Sequence, residues 1–297
     1  MSNNQIARTT FLRKPTWIKT KLAGEGLYAR TESAIHQKLL HTVCEEAKCP
    51  NRNECWSRGT ATFMLLGDTC TRACAFCAVK NGRPTFDASD EPCRIAEAVA
   101  AMELKYVVLT SVNRDDLPDG GASVFVDTLR ELRQRWPRIG IEFLTPDFRN
   151  CQDNAVYEVD RMLRSISRNA NQILVWGHNI ETVPRLYRCV KKGAKYQRSL
   201  TLLKKIAGLE SVECKSALML GLGETHEEVV EVLSDLRLSG VKRISLGQYL
   251  QPTSHHLPVF RYLALHEFTD YKLIARQLGF TWVQAGPLVR SSYHAEA

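Results

Sequence analysis

The stretch ATFMLLGDTCTRACAFC, residues 61–77, runs a strand-like apolar segment into a polar turn and then into Cys70, Cys74 and Cys77. A short apolar run bounded by Gly and Asp is the pattern of a buried strand. Similar runs follow at 106–109, 140–144, 172–175, 216–220 and 243–246, with a last short one at 280–283. Between them lie segments of helical period. Ile95, Val99 and Met102 share one face, and Val124, Leu129 and Leu132 another. Thr225 and Glu228 form a capping box ahead of Val229, Val232, Leu233 and Leu236. This alternation predicts six βα units on a parallel sheet. Polar and Gly-rich residues recur just after each strand, at 68–77, 110–116, 145–147, 177–179, 221–224 and 248–252. Loops that follow parallel strands converge, so these six predict one shared mouth.

With 44% hydrophobic and 24% charged residues, the 297-residue chain has the composition of a folded protein and not of a disordered one. No apolar run approaches the roughly 20 residues of a membrane-spanning helix. Ten cysteines are too sparse for a secreted disulfide scaffold, and Cys44, Cys49, Cys55, Cys70, Cys74 and Cys77 fall within 34 residues. Such clustering points to metal or redox chemistry. Cys93, Cys151, Cys189 and Cys214 are scattered and read as small packing residues. The net charge is +8, and the first 43 residues hold seven basic and two acidic side chains. That segment would attract an acidic partner. There is no RNP motif, no run of five like charges and no basic–aromatic alternation beyond Trp17, which argues against nucleic acid. The first 14 residues hold no apolar signal-peptide core, and a reducing cytoplasm suits the clustered thiols.

The cysteines form two triplets, Cys44-x4-Cys49-x5-Cys55 and Cys70-x3-Cys74-x2-Cys77. Three thiolates on a short loop can each hold one iron of a 4Fe–4S cluster, which leaves the fourth iron for another ligand. An open coordination position is a catalytic feature, whereas structural metal sites are closed. Zinc is the competing reading: His41 with Cys44, Cys49 and Cys55 could form a Cys3His site, and Cys93 could complete the second set. Two triplets together, neither in paired CxxC form, favour iron–sulfur clusters over zinc.

The CxxxCxxC triplet, with Phe76 before its last cysteine, resembles the radical S-adenosylmethionine superfamily. The whole chain, from KPTWIK at Lys14 to GPLVRSSYHA near the C-terminus, resembles the lipoyl synthase family. The motifs CEEAKCPNRNEC, YVVLTSVNRDDLPDGGAS, LTPDF, GHNIETVPRLY, YQRSLTLLK, LMLGLGET and LGQYLQPT carry that resemblance. One departure is the segment 164–177, whose start is more polar than the family pattern.

The resemblance implies a partial (β/α)6 TIM-type barrel over 61–285, an N-terminal extension over 1–60 and a C-terminal segment over 286–297 with the RSSY motif. It implies two 4Fe–4S clusters and S-adenosylmethionine as cofactors. Cys70, Cys74 and Cys77 would bind the catalytic cluster. Cys44, Cys49 and Cys55 would bind an auxiliary one, with Ser292, in preference to Ser291, as its fourth ligand. Phe76, Asn113, Glu142, Gly221, Gly223 and Glu224 stand where the superfamily contacts S-adenosylmethionine, and His178 and Asn179 where they could line the mouth. The implied reaction inserts sulfur at the sixth and eighth carbons of a protein-bound octanoyl-lysine, with the auxiliary cluster as sulfur donor. The implied partners are octanoylated lipoyl-carrier domains of 2-oxoacid dehydrogenase complexes or the glycine-cleavage carrier protein, and an electron donor such as ferredoxin or flavodoxin. The expected location is the cytoplasm. The runner-up readings are another sulfur-inserting radical enzyme, such as a methylthiotransferase or a biotin synthase-like protein, and a zinc-stabilised nucleic-acid binder.

Overall fold

In a computed structural model describing residues 12–19, 27–58, 60–166 and 173–295, the apolar runs become the strands of one eight-stranded sheet. In chain order the elements are α1 (Leu27–Gln37), β1 (His41–Thr42), α2 (Val43–Glu46), α3 (Arg52–Ser57), β2 (Thr62–Leu65), β3 (Thr69–Cys70) and β4 (Lys80–Asn81). Then come α4 (Glu91–Ala101), β5 (Tyr106–Ser111), α5 (Ala122–Arg135), β6 (Gly140–Leu144), α6 (Gln152–Ile166), β7 (Leu174–Gly177), α7 (Tyr187–Val190) and α8 (Tyr196–Ala207). The chain continues through β8 (Val212–Leu220), α9 (His226–Leu238), β9 (Arg243–Gln248), α10 (Leu265–Gln277) and β10 (Trp282–Gly286).

The sheet order is β1-β2-β5-β6-β7-β8-β9-β10, with β1 antiparallel to β2 and every other neighbouring pair parallel. The expected six βα units and a seventh strand are therefore present, in sequential order. Because βαβ crossovers keep one hand, sequential order places the helices on one side and curls the sheet towards a barrel. Both faces of the central strands are then covered, which explains their near-continuous apolar runs. The helices turn their predicted faces inward. Ile95, Val99 and Met102 are buried, as are Leu129 and Leu132 with Phe125, while Val124 is only half-buried. The capping box is formed: Glu228 N donates to Thr225 Oγ1 at 3.3 Å and Thr225 N to Glu228 Oε2 at 2.8 Å. Of the segment 164–177, residues 167–172 lie outside the described residues, and β7 begins two residues after the expected start. Among the described residues no helix is long and apolar enough to cross a membrane.

Charge is buried inside this curved sheet. Lys215 of β8 donates to both carboxylate oxygens of Glu142 of β6, at 2.8 and 2.9 Å, and neither side chain has exposed surface. Tyr106 Oη donates to the same carboxylate at 3.1 Å, and the ammonium lies 4.8 Å from the Trp282 ring centroid. Removing one member of such a pair strands the other charge, whereas replacing both by apolar groups is often tolerated. Lys215→Met is expected to lower stability by about 3–5 kcal/mol, and adding Glu142→Leu to recover most of that. Denaturant midpoints of the metal-free variants check the order.

Candidate active site

The carboxyl ends of the parallel strands open onto a cavity of about 440 Å3. Five of the six predicted loops reach it, at 70–77, 110–113, 144–147, 178–179 and 248–252, while 221–224 does not. The chain's two ends complete the wall, through Lys14, Lys48 and Cys49 on one side and Arg290, Ser291 and Ser292 on the other.

The loop bearing Cys70, Cys74 and Cys77 is held at both ends and along its length. β3 pairs with β4, and Gly82 N donates to Cys70 O at 2.9 Å. Asn113, at the end of β5, donates its backbone N–H to Cys70 Sγ at 3.3 Å and its side-chain amide at 3.8 Å; Arg72 N adds a third donor at 3.4 Å. Ala75 N donates to Val190 O at 2.9 Å, and Leu257 N to Ala75 O at 3.1 Å. His256 Nε2 lies 3.0 Å from Cys77 O; a carbonyl only accepts, so this nitrogen carries the proton and Nδ1 accepts from Thr253 Oγ1 at 2.8 Å. Burial pushes the Cys74 thiol up to about 12, against the pull of Lys191, and the Cys77 thiol up to about 11. A positive metal centre shared by the three sulfurs would remove that penalty.

Arg72 sits inside the triplet and is nearly buried. Its guanidinium donates to Asp115 at 2.6 Å twice and to Asp147 at 2.7 Å. Asp147 in turn accepts from Arg198 of α8 at 2.7 Å. Burial alone would raise the Asp147 carboxyl, but Arg72 foremost holds it well below the usual carboxylate range. His178 lines the cavity with both nitrogens occupied. Tyr187 Oη donates to Ser199 Oγ at 3.1 Å, Ser199 to Nε2 at 2.9 Å, and Nδ1–H to Thr145 O at 2.9 Å.

The second triplet lies in the extension packed against this mouth. Cys44 is the second residue of α2, which has Thr42 as N-cap, Cys49 N donates to Cys44 O at 3.1 Å, and Cys55 lies in α3. Only Cys49 of the three lines the cavity. Burial, then Cys49, pushes the Cys44 thiol up to about 11. The C-terminal segment closes over them: Asn51 Nδ2 donates to Leu288 O at 2.6 Å and Tyr293 Oη to Glu54 at 3.3 Å. Ser291 Oγ donates to Asn179 Oδ1 at 3.1 Å, whereas Ser292 has no hydrogen bond among the described residues. His41 pairs with Glu46 at 3.5 Å instead of joining the thiols, and among the described residues no three His, Cys, Asp or Glu side chains converge on a single-ion site.

Residues 64–236 match the model of the radical SAM superfamily. The lipoyl synthase of Photobacterium profundum is 52% identical over 287 residues, 96% of this chain and 86% of that one. That of Vibrio vulnificus is 53% identical over 298 residues, 100% of this chain and 90% of its own. This chain belongs to the lipoyl synthase family. Among solved structures it resembles Streptococcus suis SuiB bound to precursor peptide SuiA, with a TM-score of 0.55 at 14% identity, covering 75% of this chain and 48% of that one. The chain thus spans about half the length of SuiB. Methylornithine synthase (PylB) matches with a TM-score of 0.50 at 12% identity, over 88% of this chain and 78% of that one. These two likenesses concern the fold alone. Membership of the radical SAM superfamily brings S-adenosylmethionine and an iron–sulfur cluster.

For this member of the lipoyl synthase family, several expected contacts move. Glu142 does not reach the cavity; it lies below it, bonded to Lys215 and Tyr106. Glu224 folds back on its own loop, accepting from Gly221 N at 2.5 Å and Leu222 N at 2.9 Å. Gly221 is glycine because a β-carbon there would stand 2.4 Å from Arg261 O, and Gly223 faces Phe260. Cys93 and Cys189 are exposed, so packing does not account for them, while Cys214 is buried as expected. Phe76 and Asn113 do line the cavity. Sequence reasoning missed Arg72, Asp115 and Asp147, although the CTRAC and TPD motifs already placed an arginine and an acid beside the mouth. It also missed Ser111 and Ser245, which line the cavity with buried hydroxyls that have no partner among the described residues. Burial, reinforced by Lys191, holds the His178 imidazole down to about 3, against an ordinary value near 6.5. The unfolded chain therefore binds a proton below about pH 6.5 that the folded one refuses until about 3. Its contribution to stability is complete above pH 6.5 and fades as pH falls through that window, with a slope of up to about 1.4 kcal/mol per pH unit. His178→Gln is expected to flatten the stability profile of metal-free protein between pH 7.5 and 5, measured by urea denaturation.

Proposed function

We propose that the protein inserts two sulfur atoms, at the sixth and eighth carbons of an octanoyl chain held on a carrier-domain lysine, and so forms the lipoyl group. Cys70, Cys74 and Cys77 hold one 4Fe–4S cluster, and Cys44, Cys49, Cys55 and Ser292 hold a second. When bound, the first with S-adenosylmethionine supplies a hydrogen-abstracting 5′-deoxyadenosyl radical, and the second supplies sulfur. The observation that carries this reading is the meeting of the Cys70–Cys77 loop, Cys49 and Ser292 on one cavity wall. Ser291 is already bonded to Asn179, which leaves Ser292 as the hydroxyl of the pair with no bond among the described residues. The division into 1–60, 61–285 and 286–297 follows the same logic: the extensions bring the second ligand set to the mouth of the barrel.

The chain's own residues do the positioning and the exclusion of water. Met64, Val112, Leu144, Ala217 and Met219 offer an apolar wall for the hydrocarbon chain. Ser111 and Ser245 offer hydroxyls to the polar parts of S-adenosylmethionine. Asn113, by donating to Cys70 Sγ, fixes that sulfur against the end of β5. Burial lowers the pKa of the Arg290 guanidinium, and Cys49 and Glu181 oppose that lowering. Protein purified without oxygen should carry about eight iron and eight sulfide per chain and form lipoyl groups on octanoylated carrier. Cys70→Ala should abolish S-adenosylmethionine cleavage, while Cys49→Ala should keep cleavage and lose sulfur insertion. Cleavage without any product on the octanoylated carrier in the unaltered protein would overturn the reading.

The partner implied is an acidic carrier domain of a 2-oxoacid dehydrogenase complex or the glycine-cleavage system, served by a ferredoxin or flavodoxin reductant. Of the basic N-terminal residues, Arg30 pairs with Glu103 at 3.2 Å, and Lys21 lies outside the described residues. Lys14 and Lys48 line the cavity itself and meet an incoming carrier directly. Lys14→Glu with Lys48→Glu is expected to cut kcat/KM on the intact carrier about tenfold at low salt, with the deficit shrinking as salt screens it. A short octanoyl-lysine peptide should show no such loss.

A further inference from the structure

Gly247 lies in β9 opposite Gly286 of β10, at the rim of the cavity. A β-carbon on it would stand 2.1 Å from the carbonyl oxygen of Val289, 3.1 Å from the carbonyl carbon and 3.3 Å from the Arg290 guanidinium. The two nearer atoms are backbone, which cannot rotate aside. Gly247 is absent from the residues with positive φ, so the strand itself does not demand glycine there. What demands it is the overlying turn, closed by Val289 N donating to Gly286 O at 3.1 Å. From the opposite side Asn51, 3% exposed and lying between Cys49 and Cys55, grips Leu288 O. The residues just ahead of Ser292 are thus clasped between the sixth strand of the barrel and the loop of the second triplet.

We propose that Gly247 and Asn51 are positioning residues that form a two-sided seat for residues 286–292 and set where Ser292 stands relative to Cys44, Cys49 and Cys55. The consequence for iron rests on the reading of Ser292 as a ligand; the seat itself does not. The test uses the full chain with Gly247→Ala, Asn51→Ala and Ser292→Ala. Amide exchange in peptides covering 286–293 of metal-free protein is expected to speed up about tenfold or more in Gly247→Ala and about threefold in Asn51→Ala. In a background with Cys70, Cys74 and Cys77 replaced by Ala, iron held by the second triplet should fall from about four per chain by at least half in Gly247→Ala, with an altered Mössbauer signature. Ser292→Ala should alter iron and signature in the same way while leaving exchange unchanged. Unchanged exchange in Gly247→Ala overturns the seat; if that variant does not fold, unchanged exchange in Asn51→Ala overturns it instead. If Ser292→Ala leaves iron and signature intact, the ligand reading fails, while faster exchange in Gly247→Ala still upholds the seat.

Discussion

Asp147, with no exposed side-chain surface, stands between the guanidinium groups of Arg72 and Arg198, and the order of the site depends on that contact. Arg72 comes from the loop between β3 and β4, Asp115 from the loop after β5, Asp147 from the loop after β6, and Arg198 from α8. One buried carboxylate thereby fixes four separate pieces of chain relative to each other. Arginine suits this role because its planar fork makes several charge-assisted bonds in fixed directions. Each charge is buried only because its counterpart is, so the pieces hold their arrangement together or lose it together.

The two cysteine segments are held to different degrees. Cys70 Sγ receives three N–H donors, and its loop is bonded to residues after β5, β9 and within α7. The second triplet is fastened by short helices and by side-chain contacts with a C-terminal segment that follows the last strand. A firmly held loop suits a centre that returns to the same state after each cycle. A lightly held one suits a centre that must give up atoms, as the proposed sulfur donor does. The cavity between them is walled by strand ends, so its shape rests on the sheet, while its closure rests on the extensions.

Much of this was legible in the sequence because its causes are local. A buried parallel strand must be apolar along its length, so each of the seven announced itself. The capping box at Thr225 and Glu228 spans four residues, and Cys70, Cys74 and Cys77 share one short loop. Other features depend on partners far away. β8 begins four residues before the apolar run at 216–220, because Glu213 and Lys215 are neutralised by Arg243 and Glu142. Nothing near Lys215 in the chain reveals that. The 221–224 loop also depends on what a sequence does not display: Glu224 accepts from the backbone of Gly221 and Leu222 in its own turn. Arg72 and Asp147 are 75 residues apart, and their pairing follows from the sheet order alone.

The bond between Asn51 and Leu288 spans 237 residues of chain. During synthesis, Cys44, Cys49 and Cys55 leave the ribosome long before the segment that covers them. Through that interval the extension lacks its C-terminal partner, and its thiols stand open to oxidants and stray metal ions. The barrel strands between can pair in order as they emerge, since each joins the one before it. The contacts of Asn51 and Glu54 with the C-terminal segment cannot form until residues 286–293 fold back over Gly247. Closure over these cysteines is in that sense an event that follows translation, gated by the arrival of the far end of the chain.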